Sequence, residues 1–106
     1  MSFVRLREIA VTRSGDKGNH ANIGVVARSP AEFDFLRRTL TTERVAEYFR
    51  ALQPTRVERF ELPEICAFNF LIYNVLGGGA SRSLSFDTQG KLLGTALGDL
   101  KLKRDS

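Results

Sequence analysis

The chain has 106 residues, enough for one core and too few for two, and is expected to form one domain over 1–106. Its net charge is +4, but the arginines are interleaved with acids, base-stacking aromatic strands are missing and there is no zinc-finger spacing, so no nucleic-acid partner is expected. No apolar run approaches the roughly 20 residues of a membrane span, no signal-peptide pattern opens the chain, and the single cysteine builds neither a disulfide nor a zinc cluster; a cytoplasmic protein away from the membrane, with Cys66 buried and inert, is expected.

Phe3 to Thr12 alternates apolar residues on both parities and predicts a strand. A polar connection follows, Arg13-Ser14-Gly15-Asp16-Lys17-Gly18-Asn19-His20-Ala21-Asn22. Asn22 to Ala27 predicts a second strand, with Gly24 marking a bulge or a close approach, and the two strands should pair as an antiparallel hairpin. Ser29-Pro30 starts a helix with Phe33, Leu36 and Leu40 on one face, and Thr41 caps a second with Val45, Tyr48, Phe49 and Leu52 at helical spacing. Pro54 ends it. Arg56 to Leu62 predicts a strand exposed on one side. Pro63-Glu64 resembles a helix start, and Ile65, Phe68, Leu71, Ile72, Val75 and Leu76 fit helical spacing, so helix is preferred there; a strand over Ala67 to Tyr73 is the open alternative. Ser83 to Phe86 predicts a short strand, and Asp87 caps a last helix striped by Leu92, Leu93, Ala96, Leu97 and Leu100, weakened by Gly94 and Gly98. Lys101, Lys103 and Arg104 are expected to be a solvated terminus. The order implies an α+β fold, a two-layer sandwich of mainly antiparallel sheet with helices on one face.

The polar connection allows two readings. Its glycines can turn N–H groups toward an anion while Arg13 and Lys17 supply charge, making a ligand site of Arg13, Ser14, Gly15, Lys17, Gly18, Asn19 and Asn22. Alternatively, Asp16-Lys17-Gly18 simply closes a hairpin. It is not a phosphate-binding Walker loop, because the glycine spacing and strand-to-strand setting disagree. Gly77, Gly78 and Gly79 admit a ligand or act as a hinge, or else stop a helix, and Arg82 nearby offers a forked donor to carboxylate or phosphate. Asn69, a carboxamide in an apolar segment, needs partners and is expected to anchor the glycine loop. Asp16 and His20 are the candidates for proton transfer, although no orienting acid for His20 is visible. Asp16 and Asp87 lack ligand spacing, so neither metal nor cofactor is expected. The two glycine-containing loops should meet at one end of the sheet, bringing Arg13, Lys17 and Asn69 to a shared pocket.

Taken together, Arg13 to Asn19, Ala21-Asn22-Ile23-Gly24-Val25, Asn69-Phe70, Leu76-Gly77-Gly78-Gly79 and Asp87-Thr88-Gln89-Gly90-Lys91 resemble, in that order, the C-terminal region of the acyclic terpene utilisation AtuA family, which includes small stand-alone AtuA-related proteins. The resemblance covers roughly Arg13 to Leu97 and implies a ferredoxin-like fold and a link to breakdown of acyclic terpenes or related branched acids as coenzyme A esters. The large N-terminal domain of the long members is not seen in this sequence. The implied role is an accessory or binding subunit that pairs with an AtuA-type large subunit, or a homo-oligomer, around an anionic small molecule such as an acyl-CoA or a carboxylate. His20 stands where the family pattern suggests aspartate or another small polar residue. Two alternatives stay open: an independent small hydratase, lyase or isomerase in which Asp16 or His20 moves a proton while Lys17 and Arg13 hold the anion, and a non-catalytic anion-sensing domain.

Overall fold

Gly18 sets the turn around which the sheet is built. In the computed structural model, which describes residues 2–75 and 93–104, Gly18 takes φ +61° and Asn19 does not take a positive φ, the pattern of a two-residue turn matched to strand twist. Strand β2, Ala10–Lys17, therefore pairs directly with β3, His20–Ala27, in unbroken register from Ala10↔Ala27 to Lys17↔His20. This corrects the expectation of a ten-residue polar loop: only Gly18 and Asn19 form the turn. The flanking polar residues alternate between the two faces of paired strands, so ladder bonding prevails over composition.

The first expected strand is also divided. Strand β1, Ser2–Arg5, leads into one helical turn, α1, Leu6–Ile9, before β2 begins. Leu6 and Ile9, three positions apart, are buried together, which an extended chain would not allow. Helices α2, Pro30–Thr39, and α3, Thr42–Tyr48, follow as expected. Ser29 Oγ accepts the Glu32 N–H at 3.2 Å and Thr41 Oγ1 accepts the Arg44 N–H at 3.1 Å, so each helix has its N-cap.

Strand β4 spans Arg56–Leu62, as expected. The helix preferred after it is absent: a single 3₁₀ turn, Pro63–Ile65, and the left-handed Cys66 (φ 54°) turn the chain into strand β5, Ala67–Tyr73. The strand alternative was the correct one. β5 lies between β3 and β4, its Phe68, Phe70 and Ile72 buried on one face and Asn69, Leu71 and Tyr73 half-buried on the other. Leu71 and Tyr73 on the half-buried face, beside Phe68, Phe70 and Ile72 on the buried one, blur the apolar-polar alternation that would mark a strand in the sequence. Cys66 is half-buried rather than fully buried.

The four-stranded sheet has the order β2-β3-β5-β4, with every pair antiparallel. Residues 93–98 are helical and lie against β2, where Thr12 Oγ1 donates to the Gly94 carbonyl at 2.8 Å. The basic tail is not a solvated terminus: Lys101–Arg104 forms strand β6, which pairs with β1 and buries Leu102 opposite Val4. Arg104 is ion-paired to Glu32, and its guanidinium sits 4.4 Å from the Phe35 ring centroid. The expected strand Ser83 to Phe86 and the Asp87 cap lie outside the described residues. The core fills one side of the larger sheet, where Ile23, Val25, Phe68, Phe70 and Ile72 meet Leu36, Leu40, Val45 and Leu97. The architecture is α+β, a ferredoxin-like sandwich with its helices on that one face.

Candidate functional site

Strand parity sorts the sheet into two faces. Thr12, Ser14 and Asp16 share the parity that faces the helices, whereas Val11, Arg13, Gly15 and Lys17 belong to the other. No described element covers this second, open face. Its residues form four cross-strand rows. Val11, Val26, Ala67 and Leu62 make the first, and Arg13, Gly24, Asn69 and Phe60 the second. Gly15, Asn22, Leu71 and Glu58 make the third; the pairs Lys17–His20 and Tyr73–Arg56, joined by the contact of the His20 and Tyr73 rings, make the fourth, beside the hairpin turn.

Four expected site residues, Arg13, Gly15, Asn22 and Asn69, thus share two adjacent rows of one surface. Lys17 ends β2 in the fourth row, while Gly18 and Asn19 form the turn beyond it. Ser14 departs from the expected set. It projects to the helix side, where Gly94 approaches so closely that an added Cβ would sit 3.1 Å from Ser14 Cβ, N and Oγ. Asp16 shares that parity and is exposed, so the sheet separates it from Arg13. Gly77, Gly78, Gly79 and Arg82 lie outside the described residues. The chain leaves β5 toward them beside the hairpin turn, since Tyr73 ends β5 in the His20 row.

The fourth row carries a cluster that the sequence reading missed. Tyr73 donates its O–H to Glu58 Oε1 at 2.7 Å, and the Arg56 guanidinium lies 5.7 Å from the Tyr73 ring centroid while also pairing with Glu58. The hydrogen bond to Glu58, followed by burial, holds the Tyr73 hydroxyl above its ordinary ionisation range. The His20 ring packs on Tyr73, with centroids 4.7 Å apart. His20 Nδ1 accepts the Asn74 backbone N–H at 3.0 Å, so the proton of the neutral ring resides on Nε2. Asn74 takes φ 62° and its amide nitrogen donates to Thr55 Oγ1 at 2.7 Å, which fixes the end of β5. A backbone amide, rather than a carboxylate, orients His20. This arrangement positions a neutral donor and does not create the activated base of a catalytic triad. The one cue available in the sequence was the alternation of Asn69, Leu71 and Tyr73.

A concavity of about 460 Å³ beside α3, lined by Arg44, Glu47, Tyr48, Arg50, Ala51 and Leu100, competes with the open face. Its polar groups already serve the fold. Arg50 pairs with Glu47, Arg44 donates to the Lys101 carbonyl and Tyr48 donates to the Ala96 carbonyl. Arg13, Asn22 and Asn69 have no such side-chain partners among the described residues.

A family model described as the AtuA ferredoxin-like domain matches residues 4–103. The chain belongs to that family. The match takes in β2 to β5, every described helix, parts of β1 and β6, and all the residues placed on the open face of this AtuA ferredoxin-like protein. No curated protein and no solved structure gives a significant match. No helix among the described residues of the AtuA ferredoxin-like protein is long and apolar enough to cross a membrane.

Proposed function

We propose that this chain is an accessory or binding subunit, cytoplasmic, linked to catabolism of acyclic terpenes or related branched acyl-CoA and carboxylate compounds. It pairs through its open sheet face with an AtuA-type large subunit. The observation that carries this reading is the apolar content of that face, where Val11, Val26, Phe60 and Leu62 are 44–48% exposed. Exposed apolar side chains gathered on one sheet face favour cover by another surface. The orientation of His20 supports binding over independent acid-base catalysis, because its Nδ1 is held by a backbone N–H.

Co-expression with an AtuA-type large subunit from the same organism should give a complex that survives gel filtration. Val26→Glu and Phe60→Glu should each dissociate it without changing the melting temperature of the small protein by more than a few degrees, since both side chains are solvent-facing when it is alone. Elution of the small protein by itself in the presence of the large one, or as a self-associated species that excludes it, would overturn the pairing.

A further inference from the structure

Three of the described glycines have a reason within the chain. Gly18 takes φ +61° in the hairpin turn, Gly94 lies against Ser14, and a Cβ on Gly98 would meet Arg7 Cβ at 3.3 Å. Gly15 and Gly24 have no such reason among the described residues. Neither takes a positive φ; a Cβ on Gly15 would meet nothing within 4 Å, and one on Gly24 would meet only the Arg13 carbonyl oxygen at 4.0 Å. The ladder runs through both without a bulge, Gly15 opposite Asn22 and Gly24 opposite both Arg13 and Asn69. Glycine inside a strand weakens it, and where no described residue crowds the position, close approach by another group is a physical use for it.

Both glycines belong to the open face, in neighbouring rows on adjacent strands, so they bare a patch of backbone on β2 and β3. Three polar side chains border the patch, and none has a partner among the described residues: Arg13, Asn22 and Asn69. Every other described arginine is engaged in an ion pair or a hydrogen bond. Leu71 and Phe60 extend the same two rows as an apolar margin.

We infer that Gly15 and Gly24 floor a seat for a small free carboxylate with an apolar chain. The Arg13 guanidinium takes the carboxylate through its forked donors, the amides of Asn22 and Asn69 complete its hydrogen bonds, and the apolar chain crosses the bare backbone toward Leu71 and Phe60. The inference rests on the proposed function only in treating the open face as the working surface.

The test uses 3-methylbut-2-enoate and its uncharged primary amide, titrated into the small protein alone and into its complex with the large subunit. The acid should bind at least tenfold more tightly than the amide in one or both forms, shifting the backbone amide resonances of Gly15, Gly24 and Asn69. Gly24→Ala and Gly15→Ala should each raise the melting temperature of the ligand-free protein by roughly 2 to 8 °C while weakening acid binding tenfold or more. Arg13→Met should abolish the preference for acid over amide at unchanged melting temperature. Equal binding of acid and amide, no binding in either form, unchanged affinity in both alanine variants, or a lowered melting temperature in both would each overturn the seat. Subunit pairing is measured separately by gel filtration. Pairing without acid binding would remove the seat and leave the proposed function standing; acid binding to the small protein without pairing would do the reverse.

Discussion

The contact between Gly94 and β2 turns a usually stabilising helix substitution into a destabilising one. Replacing glycine by alanine inside a helix gains up to about 1 kcal/mol from propensity. At Gly94 the new Cβ would lie 3.1 Å from Ser14 Cβ, N and Oγ, which is too close on all three counts. Two of those atoms, Cβ and the backbone nitrogen, cannot swing away, because Ser14 is held in the ladder opposite Ile23. The helical residues 93–98 must therefore move outward, stretching the 2.8 Å hydrogen bond from Thr12 Oγ1 to the Gly94 carbonyl. Overpacking of this kind costs about 1–3 kcal/mol, so the net expectation for Gly94→Ala is a loss of about 1–2 kcal/mol and a melting temperature lower by roughly 5 to 15 °C. Gly98→Ala is the control. Its Cβ meets Arg7 Cβ at 3.3 Å and Thr12 Oγ1 only at 4.0 Å, so the change should stay within about 0.5 kcal/mol of the parent. Urea unfolding of both variants, and of Gly94→Ala combined with Ser14→Gly, provides the measurement. Removing two of the three obstructing atoms should recover part of the loss as a coupling between the sites. The reasoning fails if Gly94→Ala is as stable as the parent or indistinguishable from Gly98→Ala.

Leu102→Ala should cost about 2–5 kcal/mol in urea unfolding, because the side chain is 1% exposed within β6, whereas a solvated tail would show almost no effect. Ser29→Ala should cost about 1 kcal/mol through loss of the α2 cap. Both tyrosines are held above their ordinary ionisation range, Tyr73 chiefly by its bond to Glu58 and Tyr48 by burial and then by Asp99. The folded chain therefore keeps these protons longer than the unfolded chain. Tyrosine-linked stability is complete below the unfolded value near 10 and declines as pH rises through the folded values. Absorbance titration should show tyrosinate appearing later in the folded protein than in urea, and Glu58→Gln should bring Tyr73 back toward the unfolded curve.

Features decided within a few residues were legible in the sequence. Ser29 and Thr41 announced their helices because an N-cap bond spans only three positions, and Gly18 announced the turn because positive φ suits glycine. Features decided by distant pairing were not. Nothing local marks Lys101–Arg104 as a strand, because its partner is β1 at the other end of the chain. The segment Ala67–Tyr73 fits helical spacing because Leu71 and Tyr73 put large apolar side chains on the less buried face as well, which blurs the period-two signal. At the site, Arg13, Asn22 and Asn69 stood out as polar residues beside or within apolar segments, but their shared face depends on β5 being a strand. Register is also why Ser14 left the set: a shift of one residue moves a side chain to the opposite face. The Tyr73, Glu58 and His20 cluster joins three strands, and no spacing in a single segment reveals it.

The wiring of the strands carries a consequence for how the molecule opens. The four-stranded sheet consists of two short-range hairpins, β2 with β3 across a two-residue turn and β4 with β5 across Pro63–Cys66, joined side by side through β3 and β5. The pairing of β1 with β6 is the opposite case, with Ser2 bonding to Arg104 across 102 positions. Loop-closure entropy grows with the length enclosed, so contacts of high sequence separation form late in folding and separate early in fluctuations. The backbone amides of Val4 and Leu102 should then exchange with solvent well before those of Ile23 and Phe70 at the centre of the larger sheet. The chain should then fray from both ends at once, while the surface formed by β2, β3, β5 and β4 keeps its shape through those openings.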